Sequence, residues 1–229
     1  MNRLQLLAVL VIAATNVQST TAFSKQYHPA PPPLQEILYR RNVFAKDELL
    51  IIQADVKQYL GKLRPETMSS VAHGRRGLAL PPSAATVDKF AQGSLLRWIH
   101  RVTQCSDYQL CTEVPLEIRT YDQKGAGMAW HADDILFTPV PQLEVVWTLE
   151  NTSDCRTLYR STATQNVETV ETEANSVLLV PAGGPEHCVT SLQRGRRVIL
   201  KAVYALTDAA YVEEASVAQF GKTKQSRRR

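Results

Sequence analysis

The chain has 229 residues, of which 44% are hydrophobic and 21% charged, with a formal net charge of +4. Those are ordinary globular values, and they leave no case for a fibrous or disordered chain. Four cysteines are too few for a disulfide scaffold, and the mild charge gives no strong nucleic-acid signal.

The first segment reads as a targeting signal. Arg3 gives Met1–Ala22 a positive start, Leu4–Ala14 is an apolar run, and Thr20-Thr21-Ala22 supplies small residues for cleavage. The run is too short to span a bilayer, which needs about 20 apolar residues, so no transmembrane span is expected in the mature chain. Residues 23–35 contain Lys25, His28 and Pro31-Pro32-Pro33 but no acid, and read as a transit segment or linker. The Ala22-Phe23 junction followed by an acid-free stretch resembles the two-part plastid presequences of diatoms and related algae. That implies entry into the secretory pathway and then a plastid; without the second step the protein stays in the endomembrane system or is secreted.

Residues 36–210 are expected to form one domain, with N-terminal helices over 36–104 and a β core over 114–207. Leu34–Leu63 reads as the first helical region, because Leu49, Ile52, Val56, Tyr59, Leu60 and Leu63 recur at helical spacing. Asp47 and Glu48 favour a helix start there, and Gly61 and Pro65 mark its end. Met68–Pro82 reads as a loop. Val87–Val102 reads as a second helix with Thr86 as its cap. The short spacing of Cys105 and Cys111 makes them the most plausible disulfide pair, and no Cys-x-x-Cys pair suggests structural zinc.

Beyond residue 114 the pattern changes to strands. They are expected at Glu117–Tyr121, Met128–Asp133, Leu143–Glu150, Thr157–Ser161, Val167–Thr172, Ser176–Val180, His187–Leu192 and Arg197–Leu206. In the third of these, Leu143, Val145, Trp147 and Leu149 alternate with Glu144, Val146, Thr148 and Glu150. Short strands separated by turns suggest a sandwich or double-sheet barrel with helices on one outer face. Residues 211–229 form a basic tail.

The chemistry concentrates in His131-Ala132-Asp133, His187 and Arg197. Side chains at i and i+2 of a strand point the same way, so His131 and Asp133 can converge on one ion. Two imidazoles and one carboxylate suit ferrous iron and leave positions open for other ligands. Arg197 offers a planar fork to a carboxylate, and a guanidinium in a dry barrel is costly without an anion. Asp134 points to the opposite face and reads as solvated. Trp130 reads as core, Cys188 as a small buried hydrophobe, and Arg194 and Arg196 as surface charge. Arg119 and Arg160 read as solvated strand-edge residues, with the substrate channel as the other option.

The order His-x-Asp, His, then Gly195-x-Arg197 resembles the 2-oxoglutarate- and Fe(II)-dependent dioxygenases, in particular the branch similar to prolyl 4-hydroxylases. The resemblance runs from about Leu116 to Ala205. It implies a mostly β fold with flanking α-helices around a double-stranded β-helix (jelly-roll) core. It also implies Fe(II) held by His131, Asp133 and His187, with 2-oxoglutarate held by Arg197 and Tyr121. O2 would be the oxidant, ascorbate an auxiliary reductant, and succinate and CO2 the co-products. Where prolyl hydroxylase-like proteins carry Gly-Gly-x-Thr, this chain has Asn151-Thr-Ser-Asp-Cys-Arg-Thr157, which argues against peptidyl proline as substrate. The segment Leu149-Glu-Asn-Thr-Ser-Asp154 is similar to an algal subgroup. Substrate contacts are expected from Met68–Pro82 and Ile135–Gln142. Two other readings stay open: a nucleic-acid oxidative demethylase of the same superfamily, and a non-catalytic jelly-roll binding module.

Overall fold

The computed structural model describes residues 33–67 and 69–211. The expected signal segment, all but the last three residues of 23–35 and the tail beyond 211 lie outside these residues. In chain order the elements are β1 (Leu38–Arg40), α1 (Lys46–Lys57), β2 (Arg64–Pro65), β3 (Ala72–His73), β4 (Arg75–Ala79), α2 (Ala85–Gln92), α3 (Ser94–Thr103), β5 (Tyr108–Leu110), β6 (Glu117–Tyr121), β7 (Gly127–His131), β8 (Phe137–Thr138), β9 (Leu143–Asn151), β10 (Thr157–Arg160), β11 (Val167–Val170), β12 (Ser176–Pro181), β13 (His187–Val189), β14 (Arg197–Leu206) and β15 (Ala210–Tyr211). A single 3₁₀ turn, Leu60–Lys62, follows α1.

Two antiparallel sheets face each other. The larger runs β1-β12-β9-β14-β6-β4-β2, with β5 also on β14, and the smaller runs β11-β10-β13-β7-β3. This is the expected jelly-roll core. The period of two in β9 sorts its side chains cleanly. Leu143, Val145 and Trp147 enter the outer core with Leu200, Ala202 and Tyr204 of β14 and with Ile52, Phe90 and Leu95 of the helices. Trp147 stacks edge-on against Phe44 and Phe90, at 5.1 and 6.0 Å between centroids. The Tyr204 hydroxyl donates to Phe90 O at 2.7 Å and ties β14 to α2. Both faces of the larger sheet are therefore covered, one by helices and the other by the smaller sheet.

The N-terminal third differs from expectation. Residues 36–104 hold four short strands as well as helices. Leu38–Arg40 is an edge strand on β12, and the first helix begins only at Lys46. Glu48 stabilises that start, accepting from Ala45 N at 3.0 Å. The expected loop at 68–82 contains β4, which pairs along β6. The expected helix over 87–102 is two helices broken at Gly93, where an added Cβ would lie 2.2 Å from Lys89 O. Thr86 does not cap a helix; its backbone N and hydroxyl both donate to Asp55, at 2.8 and 2.6 Å. Cys105 and Cys111 do not pair, and the Cys111 thiol donates to Glu113 at 3.3 Å. Among the described residues no helix is long and apolar enough to cross a membrane.

Candidate active site

β7 ends at His131 and the chain turns immediately into Asp133, while β13 begins at His187 directly opposite His131. His131 Nε2 lies 3.9 Å from Asp133 Oδ1, and His187 Nε2 lies 3.7 Å from Asp133 Oδ2. The two rings are tilted, with centroids 4.3 Å apart. One donor atom from each of the three residues falls within 4.8 Å of the others, and no other such group occurs among the described residues. Residues distant in sequence thus meet at one point, as the spacing predicted.

Hydrogen bonds at Nδ1 orient both rings. His131 Nδ1 lies 2.9 Å from Ala129 O, and His187 Nδ1 lies 3.1 Å from Pro185 O. A carbonyl only accepts, so each Nδ1 carries a proton, and Nε2 is the ring atom that each histidine presents toward Asp133. Burial pushes His187 below its ordinary value, which keeps the ring neutral. Burial alone would raise Asp133, but the Lys201 ammonium, the largest of the opposing charges, holds the carboxyl below its ordinary value. Gly183 N donates to Asp133 O at 2.8 Å and fixes the backbone there. Gly183 adopts φ +66°, and an added Cβ would meet Ile135 at 2.7 Å.

A narrow cavity runs from this triad to Arg197 between the sheets. Met128, Val146, Leu178, Val180, Val189 and Ile199 give it apolar walls. Arg197 is only 1% exposed and sits opposite Tyr121 across the β6–β14 pairing. Its Nη1 donates to Thr157 Oγ1 at 3.3 Å, while its Nε is buried with no partner. Burial pushes this guanidinium below its ordinary value. The Tyr121 hydroxyl accepts from Arg75 Nη1 at 3.2 Å. Since Arg75 can only donate, the Tyr121 proton is left to donate elsewhere, and so is that of Thr157. Three donors with spare protons in an apolar cavity make an anion site, and a divalent-cation donor set stands at its other end.

Arg75, Thr157, Lys201 and Glu144 were not singled out in the sequence. Lys201 and Arg197 are four apart on one strand and therefore share a face, and Glu144 shares its face with Val146; strand periodicity could have found both. Arg75 lay in a segment read as a loop. It is held by Glu66, with Nε and Nη2 at 2.5 and 2.7 Å from the carboxylate.

A second, open groove leads from His131 and Asp133 to the surface along β2 and β4 and the segment before β3. Within the segments expected to contact substrate, it meets residues from 69–79 and, beyond Asp134, Leu136. Arg119 lines it but is engaged with Glu117 at 2.5 Å. Arg160 is on the outside, paired with Glu186 at 3.1 Å. Trp130 is not core: it is 39% exposed, with the Arg160 guanidinium 4.9 Å from its ring, because alternation on β7 turns it away from the cavity that His131 faces. Asp134, Arg194 and Arg196 are exposed and Cys188 is buried, as expected.

No family model and no curated protein matches this sequence. Solved structures do match it. A Pseudomonas putida prolyl-4-hydroxylase superposes with a TM-score of 0.58 at 15% identity, covering 75% of this chain and 93% of that one. The non-heme alpha ketoglutarate dependent epimerase SnoN from nogalamycin biosynthesis gives 0.68 at 15% identity, over 85% of this chain and 88% of that one. HygX from Streptomyces hygroscopicus, solved with nickel, 2-oxoglutarate and hygromycin B, gives 0.52 at 12% identity over 76% and 84%. At these identities the likeness is one of fold, and the chain has the same double-stranded β-helix architecture as these three proteins.

Proposed function

We propose that this protein is an Fe(II)- and 2-oxoglutarate-dependent dioxygenase that hydroxylates an unidentified substrate, with succinate and CO2 as co-products. The observation that carries the reading is the orphaned Nε of the buried Arg197 at the far end of a cavity whose near end is the His131–Asp133–His187 triad. A buried cation lacking an acid partner calls for a bound anion, and Arg197 lines the same cavity as the three metal-ligand candidates. The SnoN epimerase has also been solved with Fe3+ and alpha ketoglutarate, which supports the same ligand set here.

His131, Asp133 and His187 would hold the iron through two neutral Nε2 atoms and one carboxylate. This donor set suits ferrous iron and leaves part of its coordination open. When bound, iron with 2-oxoglutarate and O2 supplies the oxidising chemistry. The protein's share is placement. Arg197, Tyr121 and Thr157 donate to the distal carboxylate and fix its distance from the triad. The apolar walls exclude water from the space between. The open groove leads substrate to the same His131–Asp133 edge, where it meets the cosubstrate cavity beside Arg75, Met128 and Lys201.

The test is conversion of 2-oxoglutarate to succinate by purified protein with ferrous iron and ascorbate, with and without a cell extract. Turnover that His131→Ala abolishes is the expected result. Protein that binds no iron and turns over no 2-oxoglutarate in any extract contradicts the reading.

A further inference from the structure

Lys201 lies on the same face of β14 as Arg197 and Ile199, and it enters the cavity at the metal end. Its Nζ is 3.4 Å from Asp133 Oδ1 and 3.3 Å from Glu144 Oε2. One lysine side chain therefore stands between two acids; burial pushes Glu144 above its ordinary value, and the Lys201 charge 3.3 Å away opposes that. Glu144 is 3% exposed on the inner face of β9, and Gln142 Nε2 donates to its Oε1 at 3.2 Å. Its Oε2 has no aligned hydrogen bond, even with the ammonium so close. The distance matters more than the angle here, since charge attraction at this range does not need alignment. Arg119, the next cation along the face, is engaged with Glu117 and leaves Lys201 to these two acids.

Nothing in the proposed chemistry uses a second carboxylate beside Asp133. Glu144 is outside the group of converging donors as it stands, one ammonium away from Asp133, and a carboxylate at that remove becomes a competent ligand for a divalent cation once the ammonium is gone. Bound through two imidazoles and two carboxylates, a divalent ion would lose an open position and its remaining positive charge. Both are needed to accept an anionic cosubstrate.

We propose that Lys201 is a positioning residue that sets the coordination at this centre. Its ammonium holds Oδ1 of Asp133, so that Oδ2 is the oxygen offered to the metal. It also balances Glu144 and keeps that carboxylate off the ion. The inference rests on the metal-centre reading above.

Cobalt(II) alone, titrated into full-length protein by calorimetry and visible absorption at neutral pH, tests it. Glu144→Gln leaves the Lys201 charge unbalanced and weakens cobalt binding about tenfold. Lys201→Met frees Glu144, tightens binding about tenfold, and changes the cobalt spectrum to that of a centre with an added oxygen ligand. The double variant Lys201→Met/Glu144→Gln returns affinity and spectrum toward those of the parent. Opposite signs in the two single variants are the signature, because structural damage would lower both. Single variants that shift together, or that bind as the parent does, overturn the proposal. Should Lys201→Met fail to fold, unchanged affinity in Glu144→Gln overturns it alone. If His131→Ala loses cobalt while both single variants match the parent, the metal centre stands and only the role of Lys201 falls. A parent protein that binds no cobalt overturns both.

Discussion

At the scale of single residues, Arg197 is the most exacting position. Its charge is buried, its Nε is unpaired, and a Thr hydroxyl is the neighbour that accepts from it. Arg197→Met removes a charge-assisted pair of hydrogen bonds worth about 1.5–3 kcal/mol, so KM for 2-oxoglutarate should rise about tenfold to a hundredfold. Metal affinity should be unchanged, because Arg197 is absent from the donor cluster. Tyr121→Phe keeps the ring and loses one hydroxyl, and should raise KM less than tenfold, at about 1 kcal/mol. Steady-state kinetics on both variants checks the pair; equal effects would mean that Arg197 does not hold the anion. Arg197 stood out in the sequence because a carboxylate calls for a planar fork and the Gly195-x-Arg197 spacing marks it, whereas Tyr121 came only from the family resemblance. Lys201, Glu144, Arg75 and Thr157 were harder to see, because their partners come from other strands. Lys201 has a meaning only once Asp133 and Glu144 are seen around it.

At the scale of elements, the strands from β6 to β14 could be read except the two-residue β8, and in the N-terminal third the helices could be read but the short strands could not. Period-two alternation and turn residues mark β9 and β14 directly, and the Arg197–Leu206 bounds came out unchanged. β1 and β3 are too short to show a period, β4 (Arg-Arg-Gly-Leu-Ala) has no alternation, and each exists because a neighbouring strand offers it an edge. The break between α2 and α3 was hidden by an apolar stripe that continues across Gly93. Turns carry an independent prediction. Gly195 has φ +76°, and an added Cβ would lie 2.0 Å from Thr152 O, in the turn that launches β14 toward Arg197. Gly195→Ala should cost about 1–3 kcal/mol from backbone conformation, with the clash in addition. Thermal unfolding should show a midpoint several degrees lower. An unchanged midpoint would show that this turn relaxes without loss.

At the scale of the whole molecule, the helices, the larger sheet and the smaller sheet form successive layers, and the site occupies the gap between the two sheets. Buried acids hold parts of this assembly together. Burial alone would raise Glu66, but its hydrogen bond from Arg75 and the charges of Arg119 and Arg75 outweigh it and hold it below the ordinary value of 4.5. Glu48 is lowered in the same sense: burial raises it, while bonds from Ser94 and Ala45 outweigh that. A carboxyl lowered on folding contributes stability that is fully present above its unfolded value and is lost as pH falls through its folded value. Unfolding midpoints should therefore fall as pH drops below 4.5, and Glu66→Gln should flatten that dependence; a dependence as steep in the variant as in the parent would remove Glu66 from the account. The central claim concerns a metal and an anion held at opposite ends of one cavity. It is tested most directly by anaerobic calorimetry of 2-oxoglutarate binding to the ferrous protein and to its Arg197→Met and His187→Ala variants. The account predicts one 2-oxoglutarate per chain, binding weakened by loss of Arg197 and abolished with the iron by loss of His187. Binding of equal strength in all three proteins, or none in the parent, would contradict it.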